Sequence, residues 1–187
     1  MSLSKINLKN IFSGISNVCK NCDTCCKTYG WLLEKEAEKF IKKDYSVIKL
    51  NNSLYCIDSF NRDSKGNLIL DKIPRCKFYK NKRCIIQNEK PLDCKLFPIK
   101  VKFKEDNCFL GLSLGCKYIS SLNEKEKYEI YNRVKRFIKN LPKKELNEYL
   151  NLMYDVNKIS KLKRFWMKKL ITFRKKGNSW ELVSFHN

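Results

Sequence analysis

Histidine is almost missing from this chain, the one copy being His186, next to the last residue. A Cys2His2 or His-rich catalytic zinc site therefore has almost no raw material, and a Cys–His nucleophile pair is excluded outside the tail. The six glycines are scattered, and Gly111 with Gly115 is too sparse a pair to form a glycine-rich cofactor loop. No stretch approaches the roughly 18 to 20 apolar residues of a membrane-spanning helix. Near the N-terminus Leu8, Ile11, Phe12, Ile15 and Val18 follow helical spacing, not the continuous apolar core of a signal peptide. These absences predict a cytoplasmic protein with no transmembrane segment. Proline is rare as well, while 43% of the residues are hydrophobic, so the 187-residue chain is expected to fold around one ordinary core with a short helical annex.

Cysteine is what the chain has in excess. A reducing compartment makes ten thiols metal ligands sooner than a disulfide framework. Cys19, Cys22, Cys25 and Cys26 form C-x2-C-x2-C-C, Cys76, Cys84 and Cys94 follow, and Cys116 closes the set. Two residues between thiols let neighbouring sulfurs converge on one centre. Thiolates are soft ligands that select zinc, Cu(I) or iron–sulfur clusters. The vicinal Cys25 and Cys26 diverge in either a strand or a helix, so both are not expected on one ion. An iron–sulfur cluster, 4Fe-4S by preference, ranks ahead of zinc. Cys56 and Cys108 stand outside the set and are expected as buried hydrophobes on facing strands. Glu34, Glu36, Asp58 and Asp93, the acids nearest the cysteines, are expected to be solvated or ion-paired, with no part in acid–base chemistry.

The run Cys19 to Cys26, then Arg75-Cys76-Lys77-Phe78, Cys84-Ile85-Ile86, Lys90-Pro91, Cys94-Lys95-Leu96-Phe97-Pro98 and Gly115-Cys116, resembles the YkgJ-type CxxCxxCC cysteine-cluster family of zinc- or iron-chelating proteins. The match covers about residues 19 to 118. The resemblance implies metal chelation by Cys19, Cys22, Cys25, Cys26, Cys76, Cys84, Cys94 and Cys116. That family also includes the flagellin lysine N-methyltransferases, which implies, as an alternative, an iron–sulfur enzyme using S-adenosylmethionine to methylate a protein lysine. Two departures bear on substrate contacts and leave the thiols untouched: Lys90-Pro91 stands for the family's Arg-Pro, and Gln87 for a typical Tyr.

Leu33, Ala37, Phe40 and Ile41 predict an amphipathic helix over 34–43. Residues 53–60 and 66–70 read as short strands around a polar turn, and 99–103 with 108–112 as a second hairpin. Pro91 and Pro98 bracket Cys94 and stiffen its surroundings. Asn123 and Glu126 form a capping pair for a helix with Ile130, Tyr131, Val134, Phe137, Ile138 and Leu141 on one face, and Pro142 opens a second helix carrying Leu146, Tyr149, Leu150 and Met153. Lys158 to Lys176 holds nine Lys or Arg and no acid, with Phe165, Trp166, Leu170 and Phe173 at helical spacing, before a hairpin around Gly177-Asn178.

The expected fold is α+β: a cysteine-rich metal-binding domain of loops and short strands over residues 1–120, with a basic helical C-terminal extension over 121–187. The net charge of +21 suits an acidic protein partner or protein substrate. Nucleic acid ranks behind these, as the ligand of a module with structural zinc, because no nucleic-acid-binding motif is recognisable.

Overall fold

The computed structural model describes residues 11, 12, 14–19, 22–27, 30–50, 54–69, 75–159 and 167–186. In chain order its elements are α1 (Ile15–Cys19), β1 (Trp31–Leu32), α2 (Glu34–Lys42), β2 (Val47–Lys49), β3 (Tyr55–Ile57), β4 (Asn61–Arg62), β5 (Leu68–Ile69), β6 (Tyr79–Lys80), β7 (Arg83–Cys84), α3 (Leu92–Leu96), β8 (Ile99–Lys104), β9 (Asn107–Ser113), α4 (Lys117–Ser120), α5 (Glu124–Lys139), α6 (Lys143–Ile159), β10 (Met167–Lys176) and β11 (Ser179–Phe185). Helices and antiparallel sheets make the chain α+β. No helix among the described residues is long and apolar enough to cross a membrane.

Two compact units result. One spans Cys19–Lys95, and the other joins the chain before Cys19 to the chain from Leu96 onward. Strand pairing explains the second grouping. β9 lies between β8 and β10 in a four-stranded sheet of order β11-β10-β9-β8, so residues 99–113, grouped by sequence with the cysteines in 1–120, share a sheet with the C-terminal hairpin.

In this larger unit α5 starts at a capping box, the Glu126 amide donating to Asn123 Oδ1 and the Asn123 amide to Glu126 Oε2, both at 2.9 Å. Ile130, Val134 and Ile138 of α5 are buried, as are Leu146, Tyr149, Leu150 and Val156 of α6. The Pro142 carbonyl accepts from the Leu146 amide at 3.0 Å, as suits a proline at a helix start. Phe103, Tyr154 and Trp180 meet ring to ring at 5.5–5.7 Å, joining β8, α6 and β11. The Trp180 indole donates to Asn151 Oδ1 at 2.9 Å, so its buried N–H is satisfied.

The helical expectation for the basic segment is corrected. Residues 167–176 are strand β10, bonded on both sides. A register shift between Lys169 and Ile171 buries Leu170 and Ile171 in succession, and such adjacency of buried side chains imitates a helical pattern in sequence. Phe165 and Trp166 lie outside the described residues. The hairpin at Gly177-Asn178 forms as expected, Gly177 having φ +58°.

In the Cys19–Lys95 unit β3 pairs with both β1 and β2. Leu32, Ala37, Phe40, Ile57 and Ile86 form a small core, with Tyr45, Phe78 and Cys84 packed against it. The expected hairpin of 53–60 with 66–70 is displaced: β3 is occupied by β1 and β2, so β5 pairs with β4 instead. Cys56 and Cys108 are both buried, but they are not on facing strands. Cys56 pairs with Trp31 and Ile48 in one sheet, and Cys108 with Phe103 and Phe173 in another.

Candidate metal centre

Different local devices bring the thiols of the Cys19–Lys95 unit together. A 3-10 turn over Thr24–Lys27 carries Cys25 and Cys26 with their sulfurs 3.9 Å apart. With a metal–sulfur bond of about 2.3 Å, two ligands of a tetrahedral ion lie about 3.8 Å apart. The vicinal pair thus reaches one-ion spacing, against the expectation that the two thiols diverge.

The Cys76 amide donates to the Cys26 carbonyl at 2.8 Å, pinning the second cysteine segment to the first. β6 and β7 close through Asn81 and Lys82, at φ +48° and +59°, a two-residue turn of the mirror-image type that matches strand twist. That turn sets Cys84 opposite Tyr79. Cys94 rides on α3, whose first turn is tied by the Leu92 amide donating to Glu36 Oε1 at 2.8 Å, while the Leu33 amide donates to Glu36 Oε2 at 3.1 Å. The Glu36 carboxyl is pushed up by burial, against those two hydrogen bonds and the charge of Lys95. Asp58, in contrast, pairs with Arg62 at 3.0 Å and Lys77 at 3.5 Å. Asp93 Oδ2 accepts from the Trp31 amide at 3.4 Å, and Glu34 is exposed. Gly30 runs so close to α3 that a Cβ there would sit 3.3 Å from Cys94 Sγ and 2.8 Å from Ile57 Cδ1.

Electrostatics shows how five thiols sense one another. The Cys26 thiol is pushed far up, first by its hydrogen bond with Cys25, then by burial and by the charges of Cys25, Cys76 and Cys84. Cys94 is raised first by burial, then by the charges of Asp93, Cys76 and Cys25, with Lys90 opposing. Cys76 is raised first by burial and then by the charges of Cys84 and Cys25, while the Phe78 amide and the Ser59 hydroxyl near it favour the thiolate. Mutual repulsion among crowded thiolates is the condition a soft cation relieves. Among the described residues, no three Cys, His, Asp or Glu side chains stand close enough to hold a metal ion as placed. The donor set fits a soft metal in kind and in mutual charge, and its closure around one would require the sulfurs to draw inward.

Cys19 is exposed at the end of α1. The Cys22 amide donates to the Cys19 carbonyl at 3.2 Å, and Cys22 Sγ lies 3.2 Å from Thr24 Oγ1. Cys116 belongs to the other unit, where it is buried and caps α4. His186 is in that unit too, with Nε2 2.6 Å from Thr172 Oγ1. Glu36, Ser59 and Gly30 are the supporting residues that spacing did not reveal. Only Glu36 left a trace in sequence, as the acid three residues after Leu33. Compared with known proteins, the chain matches no family model, no curated protein and no solved structure.

Proposed function

We propose that the Cys19–Lys95 unit binds a thiolate-ligated metal centre, with Cys25, Cys26, Cys76, Cys84 and Cys94 at its heart and Cys19 and Cys22 as the flanking thiols. The observation that carries this is geometric: the Cys25 and Cys26 sulfurs lie 3.9 Å apart, and the Cys76 amide is bonded to the Cys26 carbonyl at 2.8 Å, so two cysteine stretches distant in sequence meet. A donor set without histidine suits a 4Fe-4S cluster or an all-cysteine zinc site. The C-x2-C-x2-C run, similar to that of bacterial ferredoxins, ranks the cluster ahead of zinc. A cluster would supply one-electron chemistry, tuned by the Phe78 amide and Ser59 hydroxyl at Cys76, whereas zinc would supply structure alone.

The test is iron, zinc and sulfide analysis with an absorption spectrum on protein purified without oxygen. About four irons with matching sulfide per chain and broad visible absorbance support the cluster. One or two zincs in a colourless sample keep the thiolate site and change the metal. Protein free of stoichiometric metal overturns the proposal.

A further inference from the structure

The four-stranded sheet presents two chemically different faces. Phe103, Lys175 and Trp180 point toward α6, Lys175 Nζ lying 3.6 Å from the Tyr154 ring centroid. Their immediate neighbours along each strand therefore point the other way. In register, that opposite face carries Lys102, Phe109, Thr172 and Ser184 in one row and Lys104, Asn107, Arg174 and Glu181 in the next. Lys100, Gly111 and Lys169 form a third row. Lys104, Lys169 and Arg174 are exposed, and Lys100, Lys102 and Phe109 half-buried. Among the described residues none of these five cations has an ion-pair partner, and Glu181, the one acid in these rows, is paired with Lys176 at 3.1 Å. Lys169 Nζ stands 4.2 Å from the Phe109 ring centroid.

We propose that this sheet face binds single-stranded nucleic acid, the lysines and Arg174 taking phosphates and Phe109 offering a ring on which a base stacks. Uncompensated positive charge in rows fits a polyanion. An aromatic ring at the centre of the cations is what separates this from a surface for acidic protein, because stacking on a sheet is how unpaired bases are held without sequence preference.

The experiment is fluorescence anisotropy of labelled oligo-U and oligo-dT of about twelve nucleotides with the full, metal-replete chain over a range of salt. The variant Lys102→Glu with Arg174→Glu is compared with the charge-matched Lys125→Glu with Lys139→Glu on α5. The sheet pair is expected to weaken binding at least tenfold and to lower the salt slope by about two, the α5 pair to do far less. Phe109→Leu should weaken binding about tenfold at every salt concentration, with Phe109→Tyr restoring it. Thermal melts by circular dichroism establish that each variant is folded. Absence of oligonucleotide binding overturns the proposal, as does equal loss from both charge pairs. Poly-glutamate binding as tight as oligo-U, with Phe109→Leu silent, overturns it in favour of an acidic protein partner.

Discussion

In the larger unit the sheet strands run six to ten residues and helices of 16 and 17 residues pack on them, whereas in the Cys19–Lys95 unit no described strand exceeds three residues. The larger unit buries whole layers of side chains, among them Leu110, Leu112, Val134, Leu150, Val156 and Leu170. The smaller one buries side chains from short elements and loops, among them Trp31, Leu32, Phe40, Leu54, Ile57 and Leu92. The proposed metal–thiolate bonds would add to this core a contribution of the size that structural metal sites make to small domains. In the proposed account apolar burial holds the sheet unit, and metal–thiolate bonds would supplement the core of the other.

Loss of a central ligand should expose this division most. Cys94→Ser is expected to abolish stoichiometric metal and to withdraw stabilisation on the order of 10 kcal/mol from the Cys19–Lys95 unit, by analogy with structural zinc. Metal analysis with limited proteolysis checks this, Cys108→Ser serving as the control that keeps its metal. In the other direction, Leu150→Ala should cost about 3 kcal/mol of stability in denaturant while leaving metal content unchanged, since Leu150 is fully buried in α6.

Glu36→Ala probes the link between the helical and thiol parts of the smaller unit. It leaves the Leu33 and Leu92 amides without their carboxylate, with an expected cost of about 2 kcal/mol and faster metal loss to a chelator. The smallest effect is a pH dependence. Burial, aided by the charge of Asp58, pushes the Cys56 thiol up to about 12 from an ordinary value of 9.0. A raised thiol stabilises below the unfolded value and loses that contribution as pH rises toward the folded one. Between pH 9 and 10 wild type should therefore lose about 1 kcal/mol more than Cys56→Ala, in denaturant titrations of the two proteins side by side.

Long, periodic elements were legible in the residues. Ala37 and Phe40 marked the buried face of α2, Asn123 with Glu126 the start of α5, and Gly177 the last turn. The hairpin that presents Cys84 was not, because its left-handed residues are Asn81 and Lys82 with no glycine to signal them. β10 imitates a helix in sequence because a bulge places Leu170 and Ile171 side by side in the core. At the candidate site, spacing identified the cysteine run but not its geometry. The 3.9 Å approach of Cys25 and Cys26 is set by side-chain rotation that spacing does not encode, and Ser59, whose Oγ accepts from the Lys77 amide at 3.3 Å beside Cys76, comes from a distant stretch of chain.

Whether metal holds the smaller unit together is tested most directly by hydrogen exchange resolved by region, before and after metal is removed from protein purified without oxygen. Removal is expected to strip protection from residues 30–50, 54–69 and 75–95 while 99–113 and 124–156 keep theirs. Equal protection of the Cys19–Lys95 unit in both states would contradict a metal-stapled core.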